Sequence, residues 1–270
     1  MTATTPAFRR SPLTALSRAE FVQFRRNKTL VVTGVVFPIL MPLAVYFLGR
    51  AGNDGVVERS GVAAAFDMFA LFALMFVQYY TVLSMVTTRR SEGVLKRLRT
   101  GEAADWQILT APNVPGLIIT AASSLLIALV VYATGAPGPA NVIAMVVALA
   151  GGAVVFGLLA LATSGFTKNA EAAQITSLPV IALAMIGMGS IRATLPDRAA
   201  EILGWTPYAA VSDLMHLGTA GIPATAGEDA PAADFAGTFA DMGRPLATLV
   251  VWTVVAIALV YKSFRWDDRG

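Results

Sequence analysis

The sequence predicts an all-α polytopic membrane protein with six transmembrane helices, an N-terminal interfacial helix, a short helix in a cytoplasmic connector and a re-entrant external segment between helices 5 and 6. Of the 270 residues, 56% are hydrophobic and only 14% are charged, whereas soluble domains have about 25% charged residues. The mean hydropathy of +0.66 arises from separate apolar runs of about 20 residues, the length that a helix needs to cross a hydrocarbon layer of about 30 Å.

The segment that precedes the first apolar run predicts a helix lying along the membrane surface. Residues 1–28 are polar and rich in Arg, and they lack the compact apolar run and small-residue cleavage site of a signal peptide. On a helical wheel the larger apolar side chains of 12–28 share one side and three arginines lie mostly opposite, namely Leu13, Leu16, Phe21 and Phe24 against Arg18, Arg25 and Arg26. Glu20 falls on the apolar side.

Six apolar spans follow this helix, at about 29–48, 62–88, 114–134, 140–166, 172–191 and 245–264. An even number of spans places both termini on one side of the membrane. Fifteen of the 20 Lys and Arg residues fall on that side, so the positive-inside rule predicts that both termini are cytoplasmic. Small residues four apart on span four, such as Ala148 and Gly152, or Ala153 and Gly157, predict close helix contact.

Two loops are long enough to suggest that they have functional roles. Residues 89–113 form a basic cytoplasmic connector, and residues 192–244 form an external segment punctuated by prolines. Within the external segment, 205–218 is apolar but too short to span, which predicts a re-entrant or interfacial helix shielded by neighbouring protein.

The connector contains a short amphipathic helix. Val94, Leu95 and Leu98 share one side of a helical wheel, and Lys96, Arg97 and Arg99 project elsewhere. Such a helix either rests on lipid headgroups or inserts its apolar face into a cleft of a cytoplasmic partner. Composition alone favours the lipid interpretation.

Few side chains are suited to catalysis, and we predict no catalytic or metal-ligating residues. The chain has no Cys and a single His, and it lacks HExxH, GxSxG and the phosphate-binding loop GxxxxGK[ST], so hydrolysis of ATP by this chain is excluded. The net charge of +3 gives no indication of nucleic-acid binding. His216 lies in the short apolar external segment without a second histidine nearby, and we expect it to be an ordinary interfacial histidine. Asp67 is expected near the outer interface, because 68–88 can cross the membrane without it.

Neutral polar, aromatic and sulfur-containing side chains remain inside the spans. They either line a cavity for an amphiphile or serve ordinary helix packing and interhelical hydrogen bonding, and the second role is the commoner one. The candidates for cavity lining are Gln78, Tyr79, Tyr80, Ser123, Ser124, Met185 and Met188.

The run from Arg90 to Arg99, RSEGVLKRLR, resembles the (E/R)xxGTLxxLxxTP pattern of ABC-2 type export permeases, the membrane subunits of ATP-binding cassette exporters. Leu195-Pro196 and Trp205-Thr-Pro-Tyr208 resemble the "LP … NPxxY" region of that family, and the end of the chain, FRWDDRG, is similar to a tail common in its actinobacterial members. The sequence departs from the family at 100–103, where TGEA replaces Thr-Pro, and at 187–192, where GMGSIR replaces Gly-Phe-Phe-Pro.

The resemblance implies a permease that works with two ATPase subunits, which bind ATP and Mg, and with a second permease that is the same chain or a paralogue. It assigns docking on the ATPase to a coupling helix made of Glu92, Gly93, Val94, Leu95, Lys96, Arg97, Leu98 and Arg99. It assigns an external gate to Leu195, Pro196, Trp205, Pro207 and Tyr208. The expected location is the plasma membrane of a bacterium, of the high-GC actinobacterial kind.

The expected cargo is amphiphilic or hydrophobic, of the drug or antibiotic type, with lipid or glycolipid export as the alternative for the same architecture. An ion-coupled secondary transporter is a rival, but it requires paired repeats and ion sites near the midplane, and no paired repeat is found. A membrane-embedded enzyme or structural anchor is a second rival, which a polar constellation inside the spans would favour.

Overall fold

The computed structural model describes residues 11–52, 54–226 and 230–267, and within these ranges it contains helices and no strand. In chain order the helices are α1 (Pro12–Arg26), α2 (Lys28–Gly52), α3 (Arg59–Ser91), α4 (Val94–Arg99), α5 (Asp105–Thr110), α6 (Asn113–Ala133), α7 (Val142–Ser164), α8 (Ala170–Ile186), α9 (Gly189–Arg192), α10 (Asp197–Leu203), α11 (Pro207–Ala220), α12 (Thr238–Asp241) and α13 (Gly243–Ser263).

Among the described residues, five helices are long and apolar enough to cross a membrane. They are α2, α3, α5 continued by α6, α7, and α12 continued by α13. The remaining predicted span, 172–191, corresponds to the shorter apolar helix α8, which is interrupted at Ser177 and ends at Ile186. Pro179 has no N–H to donate to the preceding turn, which accounts for the interruption two residues before it.

The centre of the fold is formed by α3, α7 and α11, which pack against one another, while α13 packs on α7 and α11. Their fully buried side chains include Phe66, Phe69, Leu74, Tyr79, Phe156 and Tyr208. At Gly152 α7 approaches both α3 and α11 closely, because a Cβ there would lie 2.5 Å from Leu74 Cδ1 and 3.0 Å from Val211 Cγ2. The predicted close contact at the small residues of span four is thereby confirmed.

The outer helices α2 and α13 expose a large apolar surface. Leu40, Leu48, Val250 and Val254 are among their exposed aliphatic side chains. Soluble monomers rarely expose such continuous apolar surface, so these faces are suited to contact with lipid.

Two stretches of wider, π-helical turns lie within the long helices, Val32–Val36 in α2 and Ala73–Tyr80 in α3. The two stretches pack against each other. Phe24 of α1 reaches this junction, because a Cβ on Gly34 would lie 3.1 Å from the Phe24 ring. π-Helical turns often occur at functional positions, and the stretch in α3 carries Gln78.

Candidate functional site

The connector helix α4 is directed away from α3 by a sharp turn at Gly93, whose φ of 67° is in the left-handed region that favours glycine. Leu95 is only 1% exposed and belongs to the main core, and Leu98 packs against that core. Lys96 and Arg97 are exposed. The interpretation in which the apolar face of this helix enters a partner's cleft is therefore corrected for Leu95, which is buried against the chain itself, while Val94 and Leu98 are half-buried and the basic side chains are exposed.

Side chains from α4, α5 and the segment after α13 form one surface, here named the coupling surface and made of Lys96, Arg97, Arg99, Asp105, Trp106, Trp266 and Asp267. Arg99 Nε lies 3.4 Å from Asp105 Oδ1, and the Arg99 guanidinium lies 4.7 Å from the centre of the Trp266 ring. Lys96 Nζ lies 4.0 Å from Asp267 Oδ2. Exposed ion pairs contribute about 0–1 kcal/mol each, so a partner with acidic groups can compete for these cations. Residues 268–270 of the FRWDDRG tail lie outside the described residues.

Two buried arginines near the end of α3, just before α4, join α3 to its neighbours. Arg89 contacts the Glu20 carboxylate and donates to Gln23 Oε1 at 3.3 Å, which ties α1 to α3. Arg90 donates to the carbonyl oxygens of Ser164 and Thr167, at the end of α7 where the helix dipole favours a cation.

Glu20 is buried in the described structure, which explains its position on the apolar side of the α1 wheel. Burial raises the pKa of Glu20 to about 7, although the charge of Arg89 acts in the opposite direction. Its place on the apolar side is the signal in the sequence that a buried partner exists, but the sequence does not identify Arg89 as that partner.

At the other end of α3, Asp67 is the centre of a buried polar cluster, here named the Asp67 cluster and made of Asp67, Gly189, Tyr208, Ser212 and His216. The Tyr208 hydroxyl lies 2.8 Å from Asp67 Oδ1, and Ser212 donates to Asp67 Oδ2 at 2.9 Å. The Gly189 N–H lies 3.3 Å and His216 Nε2 lies 3.5 Å from Asp67 Oδ2.

The Asp67 cluster corrects one expectation. Asp67 itself is 1% exposed and enclosed by the protein, and its position near the outer interface stays a prediction. His216 is a partner of a carboxylate rather than an isolated interfacial residue. The sequence did not indicate either contact, because residues 67 and 216 are far apart in the chain and meet only when α11 packs on α3.

A second buried ion pair fixes α9 to α11. Arg192 Nη2 lies 2.5 Å from Asp213 Oδ1, and Arg192 Nε donates to the Gly187 carbonyl oxygen at 3.0 Å. Buried ion pairs are costly to break because removing one partner leaves an uncompensated charge. This ion pair thus joins α9 to α11, and the Asp67 cluster joins both helices to α3.

The residues predicted to form the external gate lie at the N-termini of two successive helices, α10 and α11. Pro207 and Tyr208 begin α11 and are buried, and Thr206 caps this helix by accepting from the Ala209 N–H at 3.4 Å. Trp205 is exposed, and its carbonyl oxygen accepts from Trp252 Nε1 of α13 at 2.8 Å.

Leu195 and Pro196, the other two predicted gate residues, immediately precede α10. Leu195 is half-buried and Pro196 is exposed.

A groove of about 960 Å³ lies between α5, α6, α7 and α13. Its lining consists of Gln78, Asp105, Trp106, Leu109, Thr110, Asn113, Leu117, Ala153, Val154, Gly157, Leu158, Leu161, Thr253, Ile257, Val260, Tyr261, Phe264 and Trp266. The groove therefore reaches from the π-helical stretch of α3 to the aromatic residues of the coupling surface.

Of the seven side chains predicted to line a cavity, Gln78 lines this groove. Tyr79 is fully buried, and its hydroxyl donates to Thr163 Oγ1 at 3.1 Å. The other five lie elsewhere in the described structure: Ser123 is buried, Tyr80, Ser124 and Met188 are half-buried, and Met185 is exposed.

Gln78 and Asn113 form a pair of amides in the groove. Gln78 Nε2 donates to Asn113 Oδ1 at 2.7 Å, and Asn113 Nδ2 donates to the Leu109 carbonyl oxygen at 3.2 Å. A Cβ on Gly157 would lie 2.2 Å from Asn113 Oδ1, and one on Gly116 would lie 2.7 Å from Gln78 Oε1. These two glycines give the amide pair the room it needs, whereas the sequence placed Asn113 in a loop and gave it no role.

Comparison with known proteins gives one family match. The family model described as ABC-2 type transporter matches residues 12–209, which include α4, Asp67 and Tyr208. No curated protein matches the chain. Among the described residues, no group of three His, Cys, Asp or Glu side chains is arranged to hold a metal ion.

Proposed function

Because the chain belongs to the ABC-2 type transporter family, and is therefore a membrane transport subunit of an ABC transporter, we propose that it is the permease of an ATP-driven exporter of amphiphilic or hydrophobic cargo. The family match confirms the resemblance drawn from residues 90–99. The proposed cargo is of the drug or antibiotic type, and the proposed location is the plasma membrane of a bacterium. ATP and Mg are bound by separate ATPase subunits.

The observation that carries this proposal is the presence, within the matched region, of a short basic helix held rigidly at one end of the fold. Leu95 anchors α4 in the core while Lys96 and Arg97 remain exposed. A helix anchored in this way transmits a push to α3 through the short turn at Gly93. We propose that the ATPase contacts the basic face of α4, and that the complete assembly contains two ATPase subunits and two permeases.

The proposed topology has six crossings with both termini in the cytoplasm. In this arrangement α8, continued by α9, provides the fifth crossing. A helix of 17 residues is about 25 Å long, and a bilayer accommodates a short helix by local thinning at modest cost.

Lipid or glycolipid export is the second candidate, and the shape of the groove favours it. Its lining includes Ile257 and Tyr261, whose side chains are also exposed on the outer surface of α13. The groove is therefore open towards the side of the protein, where a lipid has access from the bilayer.

The test is co-purification of the ATPase with the permease in mild detergent. The double variant Lys96→Glu, Arg97→Glu is expected to reduce the recovered ATPase several-fold at equal permease abundance, because charge reversal at an interface costs several kcal/mol. The matched control is Arg25→Glu, Arg26→Glu, an exposed basic pair at the end of α1, which is expected to leave recovery unchanged.

Two results would contradict the proposal. One is normal recovery of the ATPase with the α4 variant. The other is transport of cargo into liposomes by the purified permease alone with only an ion gradient, which would establish the secondary transporter in its place.

A further inference from the structure

A second groove, here named the α1 groove, follows the outer side of α1 and reaches the start of α2. Its volume is about 1060 Å³, and its polar lining consists of Arg18, Gln23, Arg26, Asn27, Lys28 and Glu92. The opposite side of α1 is fixed to the fold, because Phe24 is buried in an apolar cluster with Leu30 and Val77. The α1 groove is therefore an exposed surface on a helix whose orientation is set by packing.

Three cations in the α1 groove lack an acidic partner among the described residues. Arg18, Arg26 and Lys28 are exposed, and none of them forms an ion pair in the part of the chain that the structure describes. Glu92 is the one carboxylate among the described residues that line the groove. Three cations and one carboxylate give the lining a formal charge of +2, so the groove attracts an anion.

Two amides in the α1 groove add hydrogen-bond donors to these cations. Gln23 Oε1 accepts from Arg89 Nη2 at 3.3 Å, and Asn27 Oδ1 accepts from the Leu30 N–H at 3.2 Å. These bonds engage the amide oxygens and leave both amide nitrogens without an acceptor among the described residues. Apart from Glu92, the polar lining therefore offers donors, and cations together with N–H donors are the groups that bind phosphate.

The α1 groove lies where the chain enters the apolar layer. Lys28 is the last charged residue before 29–49, which carry no charge. Just beyond it, α2 exposes Val32, Val36 and Leu40 at intervals of four residues, and this strip is suited to contact with acyl chains. Four helical residues rise about 6 Å, which matches a headgroup layer of about 5–7 Å on each side of the hydrocarbon core. A phosphate held at Lys28 thus places its acyl chains beside this strip.

We propose that the α1 groove binds the phosphate of an anionic glycerophospholipid, whose acyl chains lie along the exposed strip of α2. A soluble anion or an acidic protein segment would use the cations and amides alone, whereas a lipid also covers the strip. A zwitterionic headgroup is disfavoured, because its cationic group would have only Glu92 as a partner in the described lining. Basic clusters directly beside a transmembrane helix on its cytoplasmic side are typical of contacts with anionic lipid. The inference goes beyond the proposed function, since it concerns a bound lipid and not the cargo.

The test measures lipid binding by native mass spectrometry on the purified permease in mild detergent, without ATPase. The probes are dioleoylphosphatidylglycerol and dioleoylphosphatidylcholine, which share their acyl chains and differ in headgroup charge. We expect one phosphatidylglycerol per permease chain to bind saturably, at a concentration several-fold below that needed for phosphatidylcholine, because only phosphatidylglycerol carries a net negative charge.

Two neighbouring arginines provide a matched pair of variants. Arg26→Gln removes a cation from the α1 groove and is expected to raise the phosphatidylglycerol concentration for half-occupancy about fivefold, the contribution of one basic residue near a lipid surface. Arg25→Gln makes the same change in net charge at an exposed residue outside the lining and is expected to have little effect. Ala19→Leu fills the groove from an exposed position without a change of charge and is expected to weaken binding as well.

Equal effects of Arg25→Gln and Arg26→Gln would overturn the proposal, because they would show diffuse attraction to a basic surface and not a site. Equal binding of the two lipids would also overturn it, as would displacement of phosphatidylglycerol by glycerol phosphate at a similar concentration, which indicates a soluble ligand. Loss of co-purified ATPase with Arg26→Gln and not with Arg25→Gln would instead assign the groove to the ATPase. The lipid measurement contains no ATPase, so its failure leaves the co-purification test of the proposed function unaffected.

Discussion

Tyr208 is the residue through which the external segment is most directly bound to α3. Its hydroxyl is fully buried and contacts both the carboxylate and the carbonyl oxygen of Asp67. A hydrogen bond to a charged group contributes about 1.5–3 kcal/mol, which is more than any of the exposed pairs of the coupling surface. The Tyr208 hydroxyl is therefore expected to contribute measurably to the attachment of α11 to α3, beside the apolar packing between these helices.

Tyr208→Phe is expected to lower the thermal midpoint of the purified permease by several degrees and to speed proteolysis between α10 and α11. The change removes the hydroxyl and leaves Asp67 buried with one donor fewer, at a cost of about 1–3 kcal/mol. Light-scattering melts and timed digestion in detergent are the measurements. Tyr261→Phe is the control, because that side chain is 88% exposed. An unchanged midpoint for Tyr208→Phe would show that the Asp67 cluster does not hold the segment closed.

The sequence shows Asp67 as a charge beside an apolar run but does not show its partners. A charge at the bilayer centre costs about 2.5–3.5 kcal/mol on insertion scales, so the sequence favours placing Asp67 near the outer interface. The structure adds what the sequence does not show, namely the donors from α9 and α11 that surround its carboxylate. The pattern of neighbouring residues carries no information on contacts between residues far apart in the chain. For the same reason the contact between Glu20 and Arg89 could not be predicted from the sequence.

The sequence predicts the helix α4 and its two faces well, but it predicts poorly which surface the apolar face contacts. The hydrophobic periodicity of 94–99 gives the helix and its two faces as the structure has them. What the periodicity does not give is which surface meets the apolar face. The core of the chain itself covers Leu95, because the turn at Gly93 folds α4 back against it.

Leu95→Asp is expected to reduce the folded yield of the permease, in contrast to the exposed charge reversals on the same helix. Placing a carboxylate in the core costs several kcal/mol, whereas Leu95→Met conserves volume and costs less than about 1.5 kcal/mol. Membrane abundance and the monodisperse fraction on size-exclusion chromatography are the measurements for the three variants Leu95→Asp, Leu95→Met and Lys96→Glu. A normal, monodisperse Leu95→Asp protein would show that this face of α4 is not part of the core.

The element α8 shows a different limit of sequence reasoning. Apolar composition alone predicts one uninterrupted span at 172–191, but the helix breaks at Ser177 and ends before Gly187. Pro179 and Gly187 are the local causes, and each is common enough in membrane helices that neither predicts a break by itself. Because hydropathy is averaged over a window of many residues, it does not register single Pro or Gly residues, and it overestimates the length of α8.

At the scale of the whole molecule, the two ends of the helix bundle are chemically different. One end carries α4, the buried arginines 89 and 90 and the coupling surface. The other end carries the Asp67 cluster and the contact of Arg50 with the Thr134 carbonyl oxygen at 2.9 Å. The long helix α3 connects the two ends, with Gln78 and its π-helical turns between them.

The orientation of this bundle is the premise of every functional assignment, and the cysteine-free chain allows a direct test. Fifteen of the 20 basic residues lie on the side assigned to the cytoplasm. Single cysteines at Val56 and Thr225, both exposed at the end that carries the Asp67 cluster, are expected to react with an impermeant thiol reagent in intact cells. A cysteine at Thr100, exposed next to α4, is expected to react only after the membrane is permeabilised.

All three positions are exposed, so a difference in labelling reports the side of the membrane and not burial within the protein. Equal labelling of all three after permeabilisation is the control for folding and reagent quality. Labelling of Thr100→Cys in intact cells would reverse the orientation and place α4 outside, where ATP is scarce and no ATPase docks. That single result would remove the coupling role proposed for Lys96 and Arg97.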